Sequence, residues 1–272
     1  MKTITAALPF AALLAAAPAF AQDTAPPKPF TVTGSVGLIS DYRFRGVSQS
    51  DKEMAVQGGL TIAHTSGFYV GTWASNLAGW GQFGGANMEL DLIGGYKLPL
   101  AGGTLDVGLT WYMYPGGADE TDFAEPYVKL GGTLGPVGLT AGVAYAPKQN
   151  ALGNYSNTPK SRGQKQDNLY LWGDATAGVP GTKLTAKAHI GHSNGNPGLG
   201  PNGTSVTPTG KYRDWMVGAD YALIGPVTVG VAYVDTDITK AGSAYLYPNF
   251  SKAKDGSSIA GSTVLFSISA SF

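Results

Sequence analysis

The chain has 272 residues, 18 basic against 18 acidic, no cysteine and 40 glycines, about double the usual glycine share. A balanced charge leaves no electrostatic footprint for nucleic acid. The lack of cysteine removes disulfide scaffolds, thiolate metal sites and cysteine nucleophiles.

Residues 1–21 read as a secretory signal peptide, with Lys2 as the charged start, an Ala/Leu core and Ala19-Phe20-Ala21 as the cleavage site, so the mature chain is expected to begin at Gln22. The apolar run is short and broken by Pro9 and Pro18, which argues against a spanning helix. Residues 22–30 form a Pro-rich segment. Beyond Pro29 no window approaches the roughly 18 consecutive apolar residues that a spanning helix requires.

From there the pattern is alternation with period two, which predicts strands. Twelve runs fit, at about 32–45, 54–64, 67–76, 87–98, 103–114, 122–134, 136–146, 166–178, 182–192, 211–223, 226–239 and 259–272. Their connections alternate strictly. Tight turns lie around Ser66-Gly67, Pro99 to Gly102, Gly135-Pro136, Pro180-Gly181 and Gly225-Pro226, and the other links are long, polar and rich in Gly, Asn and Pro. The layout is an all-β, up-and-down antiparallel transmembrane barrel of about 12 strands over residues 31–272, with both termini on the short-turn side.

Parity sorts the faces, because strand side chains alternate. In 88–98, Met88, Leu90, Leu92, Tyr96 and Leu98 share one face and Glu89, Asp91 and Lys97 the other. Alternation alone also suits a soluble sandwich. Strand length, aromatics at both ends of the strands and the ending TVLFSISASF favour a membrane wall. Trp111, Tyr145, Tyr233 and Trp215 lie toward the long-loop ends, and Phe68, Tyr96, Tyr221 and Phe272 toward the short-turn ends. Arginine at mid-bilayer on the lipid face would cost up to about 2–4 kcal/mol. In GLISDYRFRGVSQSD (37–51) this places Asp41, Arg43 and Arg45 toward the lumen and Tyr42 and Phe44 toward lipid. The faces of 67–76 stay ambiguous, because Phe68, Val70 and Ala74 compete with Tyr69 and Trp73.

The blocks SDYRFRGVSQSD (40–51), AVQGGL (55–60), SGFYVGTWASN (66–76), ELDLIGGYK (89–97) and YPGG (114–117) resemble the TorF-type family of proposed outer-membrane porins, Gram-negative proteins of largely unassigned function. The resemblance implies a barrel and a diffusion pore, and supplies no catalytic or ligand residues. Phe272 looks like the terminal aromatic of the signal read by the barrel assembly machinery. In FAEPYVKLG (123–131), Pro126 falls inside a strand, where only an edge or a bulge is expected.

The predicted pore lining is Asp41, Arg43, Arg45, Glu89, Asp91, Asp106, Glu125, Lys129, Asp174, Lys187, Asp214 and Asp220, two opposed sets of charge across a narrow lumen. The expected activity is passive diffusion of small hydrophilic solutes across a Gram-negative outer membrane, with no cofactor and no catalysis. The partners expected are outer-membrane lipid, the assembly machinery and the solutes themselves. The alternative is a closed barrel whose charges pair and plug it, with a structural or adhesion role.

An outer-membrane hydrolase would need His192 beside Ser193 and an orienting acid that no nearby residue supplies. His189 and His192 lie three apart and so face opposite sides of a strand, which argues against a metal site. Gly198 to Gly203 matches G-x-G-x-x-G only in spelling, because Pro201 interrupts it and no helix follows.

Overall fold

The computed structural model describes residues 29–154, 164–199, 205–247 and 249–272; the signal-peptide reading, residue 22 and most of the Pro-rich segment lie outside them. The wall is β1 (Phe30–Ile39), β4 (Ala55–His64), β5 (Phe68–Asn76), β6 (Met88–Leu100), β7 (Gly103–Met113), β8 (Phe123–Leu134), β9 (Val137–Asn154), β10 (Gln164–Gly178), β11 (Leu184–Gly195), β12 (Lys211–Ile224), β13 (Val227–Thr236) and β14 (Thr263–Ser271). Each strand pairs antiparallel with its neighbour and β1 pairs with β14, which closes a twelve-stranded barrel. Two further strands, β2 (Arg43–Phe44) and β3 (Val47–Ser48), form a separate small hairpin.

Closure follows from the alternation, because a closed wall has no unpaired edge to cover. Each of the five tight turns carries a glycine with φ between +53° and +103°, a region that costs a side-chain-bearing residue. The apolar set faces outward, from Val36 and Leu38 on β1 to Val264, Phe266 and Ile268 on β14. Trp111, Tyr145 and Tyr233 are exposed at the loop end of this band, and Phe68, Tyr96, Tyr221 and Phe272 at the turn end. The ambiguity over 67–76 resolves with Tyr69 and Trp73 buried inside and Phe68 and Val70 outside.

Pro126 sits in β8 opposite Leu109 of β7 with unbroken register. On its other side the β8–β9 ladder begins only at Tyr127↔Ala144. Proline therefore occupies a local edge, where its missing N–H disrupts nothing. In place of the absent ladder, the Gln149 side chain bonds both Ala124 N (2.7 Å) and Ala124 O (2.8 Å).

The seam between first and last strands is fastened by the terminal residue. Phe272 and Gly34 exchange backbone hydrogen bonds of 2.8 and 2.9 Å. The Phe272 ring covers Gly34 so closely that a Cβ there would lie 2.6 Å from it. Deleting Phe272 is expected to lower the fraction of chain that runs as the compact, heat-modifiable form on a gel. An unchanged fraction would exclude a role for Phe272 in closure.

Candidate functional site

The first strand ends at Ile39, not at residue 45. From Ser40 the chain turns into the lumen, and Asp41 to Asp51 are buried there except for a half-buried Phe44. Tyr42 and Phe44 are therefore interior, contrary to the lipid-facing placement that simple parity assigns. The reversal is made at Arg45 (φ +48°) and Gly46 (φ +79°), a two-residue loop of the kind that needs φ > 0 at both central positions. The tip seats against β12 and β13. A Cβ on Gly46 would collide with Thr236 and lie 2.9 Å from Asp214 Cβ.

Buried charges on the hairpin are paired or hydrogen-bonded, as burial requires. Arg43, with no exposed surface, bonds Asp41 Oδ2 through Nε (2.6 Å) and donates Nη1 to the carbonyls of Gly46 (2.9 Å), Ile259 (2.8 Å) and Gly261 (3.2 Å). Ser48 donates to the other Asp41 oxygen (2.5 Å). The Arg45 guanidinium forks onto Glu125 at 2.7 Å to each oxygen and stacks 4.0 Å from the centre of the Tyr170 ring. Tyr212 donates to the Arg45 carbonyl (3.0 Å). Tyr42 donates to Glu89 (3.0 Å) and packs edge-on against Trp73. At the end of this segment the buried Asp51 accepts from Ala253 N (3.0 Å), and just beyond it Lys252 bonds the exposed Glu53 (2.7 Å), holding that carboxyl below its ordinary range.

Below the hairpin lies a second layer. His189 bridges two carboxylates, Asp174 at 2.6 Å and Asp214 at 3.0 Å, and its Nε2 also meets the Tyr170 hydroxyl at 2.9 Å. Tyr69 donates to Asp106 (2.7 Å) and shares a short hydrogen bond with Tyr127, while Lys129 pairs with Asp106 (3.2 Å). Lys187 pairs with Asp220 (2.6 Å). Inward aromatics lie flat across inward glycines: a Cβ on Gly108 would sit 2.5 Å from Tyr127, and one on Gly142 would collide with Trp172.

The interior is thus divided along the barrel axis. A void beside the hairpin, touching Phe44 and Glu89, and another among the loop residues Leu152, Asn168, Asn196 and Thr207 hold about 10 Å³ each, room for one water at most. Toward the turn end the lumen opens. A cavity of about 160 Å³ is lined by Ser35, Gly37, Gln57, Thr176, Lys187 and Ser269. A wider recess of about 820 Å³ runs from Asp174 and His189 to the rim at Leu100 and Leu134.

All twelve residues predicted to line a pore point inward. Glu89, Asp91, Asp106, Glu125, Lys129, Asp174, Lys187, Asp214 and Asp220 stand on the wall, and Asp41, Arg43 and Arg45 stand on the hairpin between them. They do not form two opposed patches across open water. Most of them interlock, while Asp91 Oδ1 is buried without a hydrogen-bond partner, and parity could not show this because it fixes a face but not a partner. The partners of His189, Tyr170, Tyr69 and Tyr127 were hidden for the same reason. The register that sets His189 opposite both Met216 of β12 and Asp174 of β10 is not readable from parity. Ser193 is buried on Asn168 (3.2 Å), and His192 projects from the other face of β11.

Solved structures resembling the chain are membrane barrels with low identity. One, from work on in-meso crystallization of membrane proteins, is 12% identical, covers 89% of this chain and 83% of its own, and has a TM-score of 0.51. The outer membrane channel DcaP of Acinetobacter baumannii is 12% identical, with 89% and 97% covered and a TM-score of 0.42. An outer membrane channel from Pseudomonas putida F1 is 10% identical, with 92% and 100% covered and a TM-score of 0.40. At such identity the likeness is one of fold. Among curated proteins no match was found. Residues 23–272 match the family model described as Gcw_chp, bacterial protein of unknown function, and the chain belongs to that family.

Proposed function

We propose that the protein is a porin-like barrel of the Gram-negative outer membrane, closed at its loop end by its own first loop, which lets small hydrophilic solutes pass only when that hairpin leaves the lumen. The observation that carries this is the hairpin 41–51, buried among charges most of which are paired, with a void of about 10 Å³ beside it. A space of that size does not admit a hydrated solute. The space below, where Asp174, Lys187 and His189 stand among apolar neighbours, gives released solutes a path and makes a channel the natural second state. The motif blocks shared with TorF-type porins support the same reading. The outward apolar band with aromatics at both ends supports a membrane location, and the loop end is assigned to the cell exterior by the usual arrangement of such barrels.

No chemistry on substrates is assigned. The Tyr170–His189–Asp214 cluster is spent on internal hydrogen bonds, and Ser193 and His192 face opposite ways. The expected partners are outer-membrane lipid, the assembly machinery acting on the strand that ends in Phe272, and the passing solutes.

The test is swelling of liposomes that contain the refolded mature protein, in iso-osmotic small sugars. Swelling no faster than in protein-free vesicles is expected. Entry at rates typical of open porins would overturn the closed state, and recovery of the protein from a fraction other than the outer membrane would overturn the location.

A further inference from the structure

Where β11 and β12 reach the loop end, their outer faces depart from the apolar pattern. His192 and Asn194 project outward from β11, and Lys211 and Arg213 from β12, both cations exposed. Register pairs His192 with Arg213 and Asn194 with Lys211, so the four side chains form one square with sides of about 5–7 Å. Among the described residues neither cation has an ion-pair partner. His192 is half-buried, and its Nδ1 is enclosed without a hydrogen-bond partner. The nearby carboxylates are committed elsewhere. Asp237 accepts from Arg213's own backbone N (2.7 Å), Asp235 from Thr236 N (2.9 Å) and Tyr233, and Asp167 from the Tyr145 hydroxyl (2.8 Å). On the same outer face Leu171 stands beside His192, and Ile190 and Val217 are exposed further toward the turn end.

Cations that stand at the upper edge of an apolar wall meet the headgroup layer of a bilayer. There an arginine can fork onto phosphate oxygens while the wall below receives acyl chains. We infer that this corner of the barrel binds a phosphorylated lipid headgroup of the outer leaflet, with Arg213 and Lys211 on the phosphate, His192 and Asn194 bonding beside them, and the acyl chains along Leu171, Ile190 and Val217. A zwitterionic headgroup fits less well, since two unpaired cations would face its ammonium. The inference rests on the outer-membrane reading, which places the loop end at the outer leaflet.

The test is native mass spectrometry of the refolded mature protein in zwitterionic detergent, with bis-phosphorylated lipid A, the same lipid dephosphorylated, or inorganic phosphate as probe. One bound bis-phosphorylated lipid is expected. Retention should fall at least about tenfold in Lys211→Ala/Arg213→Ala, as the loss of charge-assisted hydrogen bonds requires. Heat-modifiability shows that this variant still folds, and its substitutions lie on the outer face, away from the hairpin. Equal retention by variant and parent would overturn the site. So would equal binding of the dephosphorylated lipid, and displacement by inorganic phosphate would show a plain anion site instead. Cell-envelope fractionation tests the location separately, so a wrong location and a wrong site give different results.

Discussion

Replacing Asp41 to Asp51 with a short Gly/Ser link is expected to turn an electrically silent barrel into a conducting one. In a planar bilayer the parent should show a flat baseline and the variant discrete current steps. The reason is geometric. The hairpin supplies Tyr42, Arg43, Phe44 and Arg45 to the lumen at the level of Glu89 and Glu125, and Phe83 and Val206 of two other loops pack against it there. Gly46→Val is the milder version. It keeps the length but puts a branched side chain at φ +79°, within collision distance of Thr236 and Asp214, so the tip cannot seat. Steps of equal size from the parent would refute the stopper. A silent but folded deletion variant would place the closure lower, at the layer of Tyr69, Tyr127 and His189.

The second large effect is expected from Arg45→Ala. Its guanidinium is the partner of Glu125 at 2.7 Å on both oxygens, and both side chains are almost fully buried. Removing one member of a buried pair strands the other and typically costs about 3–5 kcal/mol. Here the cost falls on hairpin docking, because the strands on either side of Glu125 stay paired without Arg45. Trypsin added to the loop side should therefore cut at Arg43 or Lys52 in the variant at denaturant concentrations that leave the parent intact. Replacing the pair together, Arg45→Met with Glu125→Leu, should recover most of the protection, since a matched apolar pair leaves no uncompensated charge. If the double variant is as labile as Arg45→Ala, the guanidinium acts through its stacking on Tyr170 and not through Glu125.

Alternation, turn glycines and the rhythm of long and short connections made the wall legible, down to which residues of 88–98 face inward. The contents of the wall were not. A strand of the wall and a hairpin inside it share period two, so DYRFR reads identically in both. The signal that separates them is Arg45-Gly46, a two-residue turn pair, followed at once by the polar run Ser48 to Asp51. Inward aromatics were hard for another reason. Tyr69 and Trp73 look fit for lipid until the glycines beside them, Gly95 and Gly59, show where the rings lie. Ion pairs such as Arg45–Glu125 join residues 80 apart in sequence and depend on a register that no local pattern encodes.

The hairpin is among the first segments of the barrel, and although Trp73, Ala78 and Glu89 hold its flanks, most of what holds its tip comes late in the chain. Glu125, Tyr170, Tyr212, Asp214, Thr236, Ile259 and Gly261 lie on β8 or beyond. The tip has no complete berth until β12, β13 and the segment leading into β14 are in place. A wall that closed ahead of the tip would stand open at that level, so docking of the hairpin is a step distinct from closing the wall.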